Sequence, residues 1–194
     1  MADTVSLNEK SYQRRKVPCV CELCNDAVPF NELLDHVKEK HYSHRRIVDS
    51  NGIVVDSNGI MCENLIIKAD GFEMSDPSFP HSHYNYSGRT FFPRIVKRGE
   101  IYYVYLKILC DEGAAKEFLV DLEVANVEDK AIIILPGMKV YSVDIKWQHV
   151  IEDGEGVLKF DQTMARKLIA LWIDHWMTDD VTYQVNTKYK IKKI

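Results

Sequence analysis

"IYYVYLKILCDEGAAKEFLVDLEVA", Ile101 to Ala125, decides the fold class of this chain. Its first half places Tyr102, Val104, Leu106 and Ile108 on one side and Tyr103, Tyr105 and Lys107 on the other. Its second half sets Phe118, Val120, Leu122 and Val124 against Leu119, Asp121 and Glu123. Successive side chains of a strand point to opposite faces, so this period of two marks strands, and "DEGAAKE" between them reads as a short helical turn. The pattern continues outward. "KAIIILP" (130–136) follows, then "KVYSVDIKW" (139–147), with Tyr141, Val143, Ile145 and Trp147 on one side. Near the end, "VTYQVNTKYKIKK" (181–193) sets Tyr183, Val185, Thr187, Tyr189 and Ile191 opposite Gln184, Asn186, Lys188 and Lys190. Strands recurring at this spacing predict a mainly β chain: an antiparallel sandwich over residues 62–194 with one buried face per sheet. One helix is expected within it, "FDQTMARKLIALWIDHW" (160–176), with Asp161 as N-cap and Met164, Leu168, Leu171 and Trp172 as its apolar stripe.

The composition suits a soluble chain. Its 194 residues are 46% hydrophobic and 28% charged, with a formal net charge of −4. An acidic balance argues against general nucleic-acid binding, which draws on a basic excess. The basic runs at Arg14–Lys16, His44–Arg46 and the tail "KYKIKKI" are short enough to be solvated surface. No stretch reaches the roughly 18 apolar residues of a membrane span, and the N-terminus has no apolar signal core. Five cysteines, at 19, 21, 24, 62 and 110, are an odd number with three crowded together. That is poor arithmetic for disulfides and good arithmetic for a metal, which places the protein in a reducing compartment, cytoplasm or nucleus.

The crowded cysteines open "CVCELCNDAVPFNELLDHVKEKH", Cys19 to His41. Zinc takes four thiolate or imidazole ligands in a tetrahedron. Cys21 and Cys24 form a Cys-x2-Cys knuckle, and His36 and His41 stand five apart on a short expected helix. Cys19 is the alternative to Cys21, and His44 a weaker one to His41. The expected site is therefore zinc on Cys21 or Cys19, Cys24, His36 and His41. Residues 1–16 read as a disordered N-terminus, 17–45 as the finger and 46–61 as a linker. The linker carries a tandem repeat, "DSNGIVV" then "DSNGIM", whose Asn-Gly pairs are turn signals. A unit as small as the finger leans on its metal for folding free energy, whereas the sandwich can fold unaided, so the two are expected to separate in stability. DNA reading is disfavoured: one finger covers about three base pairs, and this helix offers no arginine for a guanine edge.

Taken together, "CVC" with a third cysteine and His-x4-His, the paired strands from Phe91 to Val124, and Val157, Leu158, Phe160, Asp161 and Ala165 resemble the seven-in-absentia family of ubiquitin ligases. The resemblance covers roughly residues 19–192, although the finger is two residues shorter between its cysteines than the family's second finger. It implies a TRAF-like substrate-binding sandwich and a homodimer formed through it. It also implies a peptide groove flanked by the strands near "CENLIIK" (62–68) and from Phe91. The family pattern favours Cys19 as first ligand, the knuckle geometry Cys21. Upstream of Cys19 there is no cysteine or histidine, so the family's RING is missing and no ligase chemistry is expected from this chain alone. The expected function is recruitment of client proteins or degron peptides for ubiquitin-dependent degradation, as the substrate arm of a RING ligase or a RING-less adaptor or competitor. The alternative is a nucleic-acid-binding zinc-finger protein. Nothing reads as catalytic: Cys62 and Cys110 sit in strand patterns, and His81 and His83 fall in a Pro/Ser/Tyr-rich loop expected to be solvated.

Overall fold

The computed structural model describes residues 14–21, 24–41, 53–54, 60–68, 83–125, 131–161, 163–164, 170–172 and 182–194. Two sheets are built on the predicted strands. In the first, β5 (Tyr84–Tyr86) pairs antiparallel with β6 (Arg89–Arg98), and β6 with β7 (Ile101–Ile108). β11 (Leu158–Asp161) adds antiparallel to β7, while β10 (Tyr141–Ser142) on β7 and β3 (Ile53–Val54) on β5 are parallel. In the second, β13 (Thr182–Lys193) lies between β4 (Ile60–Lys68) and β8 (Phe118–Ala125). β8 also pairs with β9 (Ala131–Lys139), and β12 (Ala170–Trp172) pairs with the start of β13. The parallel pairs qualify the antiparallel expectation; the mainly β class stands.

The sheets pack face to face through the residues that the alternation had singled out. Tyr102, Val104, Leu106 and Ile108 meet Phe118, Val120, Leu122, Val124, Tyr189 and Ile191 in one buried cluster. Phe91 and Phe118 make an edge-to-face contact across it, with ring centroids 5.4 Å apart. Each such side chain, taken wholly out of water, contributes on the order of 1.5–3 kcal/mol.

Three expectations are corrected. First, the first sheet is buried on both faces. Phe92, Val96, Tyr105 and Lys107 point away from the sandwich core and are buried too. Their cover is the N-terminal region at one end and a helix, α3 (Trp147–Asp153), at the other.

Second, the strand expected over residues 139–147 stops at Ser142. The Ser142 hydroxyl donates to the Cys110 carbonyl, accepts from the Asp144 amide at 3.1 Å and turns the chain. Val143 and Ile145 are then delivered to different clusters, and Trp147 opens α3. Gly154, at φ 73°, closes α3 in the left-handed conformation that favours glycine. Gly156 passes so close to β9 that a Cβ would lie 2.3 Å from the Lys139 carbonyl oxygen.

Third, the expected helix over 160–176 is strand at both described ends. Phe160 stacks on Tyr102 from β11, with centroids 5.2 Å apart. Leu171 and Trp172 belong to β12. Asp161 does cap a helical turn, accepting from the Met164 amide at 2.7 Å, but Met164 is 39% exposed. A short apolar run such as "ALW" (170–172) satisfies either period, and main-chain pairing with β13 settles it as strand. Leu168 lies outside the described residues.

The tandem repeat has a structural consequence. Its two equivalent isoleucines open strands in different sheets, Ile53 in β3 and Ile60 in β4. The segment read as a linker therefore crosses from one sheet to the other. The turn around Gly113 is α2 (Glu112–Ala115), N-capped by Asp111, whose carboxylate accepts from the Ala114 amide at 2.7 Å. Among the described residues no helix is long and apolar enough to cross a membrane.

Candidate metal centre

The N-terminal region folds as a hairpin followed by a helix. β1 (Lys16–Pro18) pairs with β2 (Ala27–Pro29), Val17 opposite Val28. The ordered unit thus begins before residue 17: Lys16 is in β1, and the Arg15 carbonyl accepts from the Phe30 amide at 2.8 Å. A 3-10 turn (Phe30–Glu32) leads into α1 (Leu33–His41), which buries Leu33 and Val37 and carries His36 and His41. The hairpin loop is drawn tight by two main-chain bonds, Cys19 amide to Asp26 carbonyl and Cys24 amide to Cys21 carbonyl, both 3.1 Å.

This arrangement gathers Cys19, Cys24, His36 and His41, with their ligand atoms all within 4.8 Å of one another. Cys19 Sγ lies 3.4 Å from His41 Nε2, and Cys24 Sγ lies 3.5 Å from His36 Nε2. A tetrahedral zinc ion with ordinary Zn–S and Zn–N bonds would hold sulfur and nitrogen about 3.6 Å apart. The donor set and the spacing therefore fit a metal ion bound by four protein ligands.

Of the two candidates for first ligand, the structure brings in Cys19; Cys21, which the knuckle geometry favours, stays outside the group. The reason is the tight turn, which aims the Cys21 amide at Cys19 Sγ, 3.4 Å away. An N–H donor of this kind steadies a thiolate ligand. The Cys21 side chain is buried in the apolar cluster that Cys19 also joins. His44, His81 and the side chain of Cys62 lie outside the described residues.

A side-chain hydrogen bond with Cys21 and burial hold the Cys19 thiol above its usual range, against the lowering effect of the Cys21 amide, so a thiolate there calls for a cation. Burial, with Lys40 nearby, holds His36 below the usual histidine range and keeps it as the neutral, ligating imidazole. Asp26 is held below the carboxylate range by its 2.9 Å bond from Lys40.

The unit is also docked. Phe92, Val143 and Leu109 of the sandwich join Val17, Val20, Val28, Leu33 and Val37 in one apolar cluster. Arg15 pairs with Asp144 and lies over the Phe30 ring, 5.5 Å from its centroid. Sequence periodicity carried no sign of these partners, because they come together only through long-range folding. His83, expected to be solvated, is 1% exposed beside Phe92, and burial, with Lys38 nearby, lowers its pKa. Burial also pushes the Cys110 thiol up to about 12, which makes it a poor nucleophile.

Scanned against models of known protein families, the chain matches none, and no curated protein sequence matches it significantly.

Proposed function

We propose that the chain is a zinc-fastened protein-interaction module with a TRAF-like sandwich. It recruits client proteins for ubiquitin-dependent degradation, as the substrate arm of, or a RING-less adaptor or competitor to, a seven-in-absentia-type ubiquitin ligase. The observation that carries the reading is where the finger spends its apolar face. Leu33 and Val37 of α1 are buried in the cluster shared with Phe92 and Val143. Four protein ligands leave zinc no open coordination position, so the metal serves structure and not catalysis. A docked, closed finger supports a module built to steady a protein surface.

The sandwich offers such a surface. β4 pairs with β13 on one side, and among the described residues no strand pairs with its other side. An extended client peptide adds to an edge of this kind through main-chain hydrogen bonds, with side-chain pockets supplying selectivity. Of the two strands that the resemblance places beside a groove, β6 lies inside the first sheet, between β5 and β7. The reading therefore puts the client on β4. It also includes a homodimer through the sandwich and residence in cytoplasm or nucleus.

The test is affinity capture on the immobilised chain, followed by a ubiquitin-transfer assay. Co-purification of a RING ligase or its E2 with client proteins, and no transfer by this chain alone with an E2, is the expected result. Captured nucleic acid that is released steeply by salt and by chelation would overturn the reading for the alternative.

A further inference from the structure

A cleft of about 340 Å³ opens where the metal loop meets the start of α3. One wall is the finger: Lys16, Pro18 and Asn25, with the ligand residues Cys19 and Cys24 behind them. The other is Lys146, Trp147 and Gln148.

Three features give the cleft a chemistry. Lys16 and Lys146 are exposed on opposite walls, and neither has an ion-pair partner among the described residues. Other lysines of the fold are engaged, Lys40 with Asp26 and Lys139 with Asp153, for example. Asp26, the acidic group on the finger wall, is bonded to Lys40 and so offsets little of the positive charge. Trp147, half-buried next to Lys146, lines the cleft and offers an aromatic surface. Two ammonium groups without an ion-pair partner among the described residues, with an indole beside them, attract carboxylates that flank an apolar side chain.

We propose that this cleft binds an acidic peptide segment of a partner protein, one apolar side chain against Trp147 and its carboxylates on Lys16 and Lys146. A nucleic acid fits less well. Two cations make too short a phosphate track. The site is separate from the β4 edge and does not depend on the ubiquitin reading. It does depend on the metal loop, since Cys19 and Cys24 stand in one of its walls.

The experiment is fluorescence anisotropy with a labelled peptide of Asp, Glu and Leu, titrated with the full zinc-loaded chain. Saturable binding that weakens as salt rises is expected. The double charge reversal Lys16→Glu with Lys146→Glu should weaken it at least tenfold, while the circular dichroism spectrum stays unchanged because both side chains are exposed. Trp147→Ala should weaken it about fivefold, and chelation of zinc should abolish it. The proposal fails if the peptide does not bind, or if the double variant or the chelated protein binds it equally. It fails as well if a lysine-rich peptide or a single-stranded oligonucleotide binds more tightly.

Discussion

The finger and the sandwich hold themselves together by different means. The sandwich buries Tyr102, Leu106, Phe118, Leu122 and Tyr189 between two sheets, all at most 2% exposed, and closes its core from its own residues. The finger has few apolar residues to bury. It completes its cluster with Phe92, Val143 and Leu109 from the sandwich, and it gathers four candidate ligands, Cys19, Cys24, His36 and His41. A unit too small to bury enough surface needs a staple, and this one has a neighbour to pack on and a Cys/His cluster fit to hold a metal. The expectation that the two regions separate in stability therefore meets a specific obstacle, the shared cluster around Val143.

The sharpest way to break this comparison is to remove the metal. Cys24→Ser, His36→Ala and Cys19→Ser should each abolish stoichiometric zinc in metal analysis. Structural zinc is worth about 10–16 kcal/mol to comparable peptides, so the finger should lose its fold. Cys21→Ser should keep its zinc; loss there and retention in Cys19→Ser would return the first ligand to Cys21. Circular dichroism under chelator should keep its β signal, because the sandwich core contains no finger residue.

The next largest effect belongs to the sandwich alone. Phe118→Ala should cost about 3–5 kcal/mol in denaturant unfolding and leave zinc content unchanged. Gly156→Ala should cost about 1–3 kcal/mol, since the new methyl group meets the Lys139 carbonyl and not a yielding side-chain end.

Val143→Ala sharpens the comparison at its boundary. Deleting two methyl groups at a site 0% exposed should cost about 2 kcal/mol. If the regions share their stability, part of that loss should appear as weaker zinc affinity in a competition titration with a chelator. Unchanged affinity would show the finger to stand alone.

The smallest effect lies on the rim of α3. Lys139 pairs with Asp153 and holds its carboxyl below the usual range, with Tyr141 donating to the same oxygen at 3.1 Å. The pair is more than a third exposed, so Lys139→Ala should cost less than about 1 kcal/mol. A depressed carboxyl contributes stability above its unfolded pKa of about 3.9 and loses it as pH falls through the lower folded value. Stability profiles of the variant and the parent should therefore converge below about pH 4.

By itself the sequence determined what depends on local period and ligand chemistry. Residues 102–108, 118–124 and 187–191 carried the inward faces of their strands in plain alternation, because a strand's pleat imposes that period wherever one face is buried. Cys24, His36 and His41 were legible as candidate ligands from residue type and spacing. Tertiary structure decided what sequence neighbours cannot encode. It made both faces of β7 buried, because α3 and the finger arrive from distant parts of the chain to cover Tyr105 and Lys107. It turned Leu171 and Trp172 into strand, because β13 supplies their main-chain partners. It brought Cys19 and not Cys21 into the group with Cys24, His36 and His41, because two thiols so close in sequence differ in how a folded turn points them.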